Sequence, residues 1–194
     1  LKGYKDLATT NPKVLKDWNY EKNNDLNITP YNISHGSTKQ VWWKCDKGHE
    51  YKVPVAQKIR QNIKCPICAN QQLLKGYNDF ATKHPQLLKE WDYEKNDKLG
   101  YYMNNYTKGN ATKVWWKCDK GHTYQSSINS KTSPKRTNCP YCSGVKVLKG
   151  FNDFATLYPE MLKEWDYEKN IINPDDIGRG TREKVWWICS KGHS

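Results

Sequence analysis

Apolar residues in this chain come in short bursts separated by polar stretches, and the bursts return at a fixed period. LKGYKDLATTNPKVLKDW (1–18) recurs as LKGYNDFATKHPQLLKEW (74–91) and LKGFNDFATLYPEMLKEW (148–165). Downstream, QVWWKCDKGH (40–49) recurs as KVWWKCDKGH (113–122) and KVWWICSKGH (184–193). Self-similarity of this kind marks a tandem array of small units, with divisions at 1–73, 74–147 and 148–194. Each unit reads in two halves. In the first, Asp6, Asp79 or Asp153 caps a short turn, and Pro12, Pro85 or Pro159 suits the first position of a second helix. Leu15 and Trp18 are three apart and share a face of that helix, as do Leu88 and Trp91, and Leu162 and Trp165. The stretches 23–39, 96–112 and 170–183 are rich in Asn, Gly, Pro and Thr and read as turns. The second half predicts short strands: Val41-Trp42-Trp43 leads into a Cys, and Tyr51, Val53 and Val55 alternate beyond the His, as Tyr124, Ser126 and Ile128 do more weakly. The expected class is α+β, in small repeats that each pair a helical half with a β-hairpin half.

Composition adds a difficulty. Only 36% of the 194 residues are hydrophobic, too few for one large core, and all nine Trp lie on the repeat grid, leaving none for a unique active site. No apolar run of about 18 residues occurs, which excludes a transmembrane helix, and no apolar segment of signal-peptide type stands near Leu1. A cytoplasmic protein is expected. The third unit stops mid-motif at Ser194, so a longer parent protein is expected as well.

The cysteines resolve the difficulty. Cys45-Asp-Lys-Gly-His49 is followed by Cys65-Pro-Ile-Cys68, and Cys118-Asp-Lys-Gly-His122 by Cys139-Pro-Tyr-Cys142. Two short chelating turns thus offer three Cys and one His per complete unit, the four N/S ligands of a closed tetrahedral zinc site. With the lone Cys189 beside His193, this arrangement accounts for all seven Cys. Disulfides would leave one Cys over, a redox dithiol would want a thioredoxin-like context, and iron suits the His ligand less well. Two zinc ions per chain are expected, with the third site, Cys189 and His193, incomplete. His35 and His84 do not recur and read as surface residues. Small domains need such a staple, and loss of metal from the second site is expected to unfold 114–147 while the helices of 74–95 partly survive.

The combination of Pro/Leu/Trp helix, VWWKC-DKGH strand and knuckle, and CPYCSG knuckle resembles a bacterial and phage family of tandem zinc-ribbon, or treble-clef-like, domains. That likeness spans essentially the whole chain. It implies the same eight ligands, Cys45, His49, Cys65, Cys68, Cys118, His122, Cys139 and Cys142. Some family members look to be joined to endonuclease-like domains, which implies work on nucleic acid. Two departures stand out: the third unit lacks its CPxC knuckle, and Ala69-Asn70 replaces the Ser143-Gly144 of the second.

Charge points the same way. The net +12 divides into +6, +7 and −1 over the three units, and the excess lies on the zinc halves. Lys58, Arg60 and Lys64, and Lys131, Lys135 and Arg136, sit in what reads as a basic loop between the knuckles, a candidate phosphate contact. Tyr51, Tyr124 and Tyr141 are candidates for stacking on unpaired bases, although filling the core is the favoured reading for Trp and Tyr. The recurring acids Asp17, Glu90 and Glu164, and Glu21, Glu94 and Glu168, read as a solvated helix face. No carboxylate cluster, phosphate loop or nucleophile triad is visible, so no intrinsic catalysis is expected. The leading expectation is a structural-zinc module that binds nucleic acid, DNA first, as an accessory of a larger protein. The rival is a protein-interaction or spacer array.

Overall fold

The computed structural model describes residues 3–134 and 138–194. In the first repeat, α1 (Leu7–Thr10) leads through a 3-10 helix (Pro12–Asp17) to α2 (Tyr20–Asn24). The hairpin β1 (Gln40–Lys44) and β2 (Glu50–Pro54) follows, and α3 (Val55–Arg60) closes the unit. The second repeat has α4 (Phe80–Lys83), a 3-10 helix (Pro85–Glu90), α5 (Tyr93–Lys98), β3 (Lys113–Lys117), β4 (Thr123–Ser127) and α6 (Ile128–Thr132). The third shows α7 (Phe154–Leu157) and a 3-10 helix (Pro159–Glu164). Small antiparallel hairpins among short helices make this an α+β fold. Among the described residues no helix is long and apolar enough to cross a membrane.

The lead motif is a carboxylate cage. Asp6 takes hydrogen bonds from the backbone N–H of Thr9 and from the Thr9 hydroxyl, and Asp79 and Asp153 do the same with Thr82 and Thr156. Gly3, Gly76 and Gly150 donate their N–H to the oxygen that also takes the Thr hydroxyl, from φ of +85°, +77° and +76°, a conformation that glycine alone adopts without strain. Burial opposes ionisation of these aspartates. The donors outweigh it, and each carboxyl is held below its ordinary value.

The helix expected after each proline is a 3-10 helix. At three residues per turn it still stacks Leu15 under Trp18, whose N–H donates to the Leu15 carbonyl at 3.0 Å. Three expectations need correction. The turn stretches begin inside α2 and α5, which are capped by the side chains of Asn19 and Asp92. Val55 and Ile128 do not continue a strand but open α3 and α6. The basic stretch between the knuckles is therefore helical where Lys58, Arg60 and Lys131 stand.

Both hairpins show one face inward. Val41 and Trp43 face Val53 and Tyr51 across the pair, and Val114 and Trp116 face Ser126 and Tyr124. Trp18 meets Trp43 edge to face with ring centroids 5.3 Å apart, as Trp91 meets Trp116 at 5.5 Å and Trp165 meets Trp187 at 5.3 Å. Each such pair is worth about 0.5–1.5 kcal/mol beyond its area. The first repeat's core runs from Leu7 through Trp18, Val41, Trp43, Tyr51 and Val55 to Cys65 and Ile67. Helical lead and hairpin therefore share one core.

The described residues form two compact units. One takes residues up to Pro85 with Met103–Lys108, the other Gln86–Tyr102 with Gly109–Ser194.

Candidate metal centre

The first two ligands sit at the tip of each hairpin. Cys45 donates its N–H to the His49 carbonyl at 3.0 Å, and Gly48 donates to the Cys45 carbonyl at 2.8 Å. Gly48 has φ of +81°, which puts the side chains at both ends of the turn on the same side; Gly121 (+83°) does the same between Cys118 and His122. The second pair lies on the CPxC turn, where Ala69 and Ser143 donate back to the carbonyls of Cys65 and Cys139 at 3.0 Å. Cys45, His49, Cys65 and Cys68 thereby bring their ligand atoms within 4.8 Å of one another, as do Cys118, His122, Cys139 and Cys142.

The spacing has a metal's geometry. A tetrahedron with metal–sulfur bonds of about 2.3 Å and metal–nitrogen bonds of about 2.0–2.1 Å separates two sulfurs by about 3.8 Å, and sulfur from nitrogen by about 3.5 Å. Here Cys45 and Cys68 sulfurs stand 3.9 Å apart, and His49 Nδ1 lies 3.6 Å from Cys45, 3.8 Å from Cys65 and 3.1 Å from Cys68. In the second site the corresponding sulfurs are 3.8 Å apart, with His122 Nδ1 at 3.3 Å from Cys142 and 3.7 Å from Cys139. Such separations are too long for a disulfide of about 2.05 Å. In both histidines it is Nδ1 that stands among the sulfurs and would be the ligand atom.

Four protein ligands fill a tetrahedron and leave no open position for a substrate. Burial raises the Cys65 thiol to about 11, and Cys142 rises to about 11 from burial and its neighbouring thiols. Burial also opposes ionisation of Cys45 and Cys118, but backbone N–H donors across the turn bring them below the ordinary thiol value. Metal loading displaces the protons of the raised thiols, so it strengthens as pH rises.

Each site carries a lid from the next repeat. The Tyr77 ring lies 4.1 Å from the His49 ring, and Phe151 lies 4.2 Å from His122. Asn78 Nδ2 donates to the carbonyls of Ile67 and Gln72, both at 2.9 Å, and Asn152 Nδ2 to those of Tyr141 and Lys146, both at 2.8 Å. The Asn therefore ties the CPxC turn to the following lead. At the matching places of the first lead stand Tyr4, 80% exposed, and Lys5. In the third repeat the hairpin-tip turn forms in the same way, with Cys189 N–H on the His193 carbonyl at 2.9 Å; among the described residues no CPxC turn accompanies it.

The structure moves several candidate contacts. Lys58 is buried, its ammonium 2.8 Å from Asp17, 3.0 Å from the Tyr51 hydroxyl and 2.9 Å from the Ile63 carbonyl. Lys131 is buried likewise, 2.7 Å from Glu90 and 2.8 Å from the Tyr124 hydroxyl. Neither ammonium reaches a phosphate at the surface, and Asp17 and Glu90 are ion-pair partners rather than a solvated face. Burial disfavours the charge on Lys58, but its bonds to Asp17 and Tyr51 prevail and raise its pKa. Tyr51 and Tyr124 are buried in the core and do not offer a face to a base; Tyr141 is half-buried. Arg60 and Lys64 are exposed, whereas Lys135 and Arg136 lie outside the described residues.

A groove of about 1460 Å³ runs beside the first metal site, lined by the exposed lysines Lys13, Lys16, Lys44, Lys47 and Lys64. Of these, sequence reasoning singles out only Lys64. A signal for others is present, since Lys16 recurs as Lys89 and Lys163, and Lys47 as Lys120 and Lys191.

Comparison with known proteins agrees with this geometry. The family described as a probable treble clef zinc finger domain matches residues 14–71, 87–145 and 161–194. No curated protein matches the chain.

Proposed function

The chain belongs to the family of the probable treble clef zinc finger domain, and from that premise we propose that its two Cys3His clusters hold zinc as structural staples for a nucleic-acid-binding array. Zinc suits three thiolates and an imidazole in a tetrahedron, and when bound it supplies cross-linking rather than reaction chemistry. The chain's own residues do the binding. No catalytic step is assigned to them, because the recurring carboxylates Asp17 and Glu90 are engaged by Lys58 and Lys131.

The lysine-lined groove carries this reading. Five exposed lysines face Asp46 and a metal centre of about −1, three thiolates against a dication, so the groove holds a net charge of about +3. Asp17 and Lys58, also on its wall, cancel each other. A concave surface with that charge beside a rigid turn fits a phosphate backbone. DNA is the first partner to test, and repeated weak modules gain avidity from linkage.

Binding of the zinc-loaded chain to duplex and single-stranded DNA over a salt series tests the reading. Affinity is expected to fall with salt, and the combined Lys13→Ala, Lys16→Ala, Lys44→Ala and Lys47→Ala variant should lower the duplex slope by about 0.9 for each phosphate no longer neutralised. Absence of binding at low salt would instead favour a protein-interaction array.

A further inference from the structure

A cleft of about 540 Å³ opens beside β3–β4 in the second repeat, within the range of small-ligand sites. Its walls include Trp115, Gln125, Tyr141, Ser143, Val145 and Lys146, and among the described residues no carboxylate lines it. Trp115 is the outward member of its Trp pair; Trp116 is fully buried, whereas Trp115 keeps part of its ring exposed. The Lys95 ammonium sits 4.2 Å from the Trp115 ring centroid and donates to the Thr123 hydroxyl at 2.6 Å. The pairing recurs: Lys22 lies 4.3 Å from the Trp42 ring and Lys169 5.0 Å from that of Trp186. The buried Trp43 and Trp116 also have Lys58 and Lys131 at their rings, 5.5 and 5.0 Å from the centroids, so what sets Trp42, Trp115 and Trp186 apart is that part of each indole stays exposed.

We propose that this cleft binds an unpaired nucleobase, so that the chain prefers single-stranded to duplex nucleic acid. The inference rests on the nucleic-acid reading and deepens it. Two aromatic rings supply faces for stacking, and Gln125 and Ser143 supply the donors and acceptors that address a base edge. Lys146 on the cleft wall and Lys95 at the Trp115 ring supply positive charge for the phosphates that flank a stacked base. A paired base hides both faces inside the duplex and cannot enter. The absence of carboxylates suits a polyanion and disfavours a basic peptide.

The zinc-loaded chain is titrated with an oligothymidylate and with a duplex of equal length at one low salt concentration. The single strand should bind more tightly, and Trp115→Ala should weaken it about tenfold while leaving duplex binding unchanged; Trp115→Phe should keep most of the affinity. An unchanged single-strand affinity in Trp115→Ala overturns the proposal. Should that variant fail to fold, irradiating the wild-type chain with an iodouracil-substituted strand decides instead: attachment at Trp115 or Tyr141 supports the pocket, and attachment only elsewhere overturns it. If the groove lysines control binding and Trp115 does not, this inference alone falls. If neither strand form binds, the nucleic-acid reading falls with it.

Discussion

Stripping the metal from the zinc-loaded chain with a strong chelator should melt each complete repeat as a whole, helical lead included. A structural zinc site contributes an apparent ~10–16 kcal/mol of coupled folding free energy, more than a domain of this size can replace from its core. The sequence alone leaves the helices of 74–95 partly intact after metal loss. The shared core revises that expectation from Gln86 onward, because Trp91 packs on Trp116 and Glu90 is tied to Lys131, so this end of the lead has no core of its own. Cys118→Ser should have the same local effect. Hydrogen exchange followed by mass spectrometry checks it: protection should vanish together from α5, from β3 and β4, and from the Leu148–Asp153 lead that covers His122. Retained protection in α5 with β3 and β4 open would show two independent halves.

Replacing Lys131 with Met should destabilise the second repeat by about 3–5 kcal/mol, since it removes a buried ammonium from the Glu90 carboxylate and the Tyr124 hydroxyl. The side chain of Lys131 is fully buried and that of Glu90 12% exposed, so solvent screens the pair poorly. The double variant Lys131→Met with Glu90→Met should recover most of the loss, because a well-packed apolar pair of similar volume often matches a buried ion pair. Thermal melts of the three proteins in their zinc-loaded state measure this. Equal melting of the single variant and wild type would contradict the burial, and would return Lys131 to the surface as a candidate phosphate contact. The pair also separates roles in binding experiments: loss of DNA affinity in the single variant should be regained in the double one.

How much of the fold and the site is legible in the sequence depends on the range of the interaction concerned. The eight ligands are legible because a metal site needs few residues at short spacing, and Cys-x-x-Gly-His and CPxC provide them locally. Asp6, Asp79 and Asp153 are legible as caps for the same reason. Lys58 and Lys131 read as surface charges because their burial depends on carboxylates 41 residues away and on tyrosine hydroxyls across the core. α3 and α6 escape notice since helices of five or six residues carry no periodic signature, and Val55 and Ile128 extend the alternation of the preceding strand. The lids show only as a difference between repeats: Asn78 and Asn152 stand where the first lead has Lys5. Nothing within a single lead says that an Asn there must hold a neighbouring turn.

Elemental analysis of the purified full chain tests the central claim most directly. Two zinc ions per chain are predicted, one for each Cys3His cluster, with Cys189 and His193 adding none on their own. A folded chain that carries no tightly held metal, or iron in place of zinc, would contradict the account.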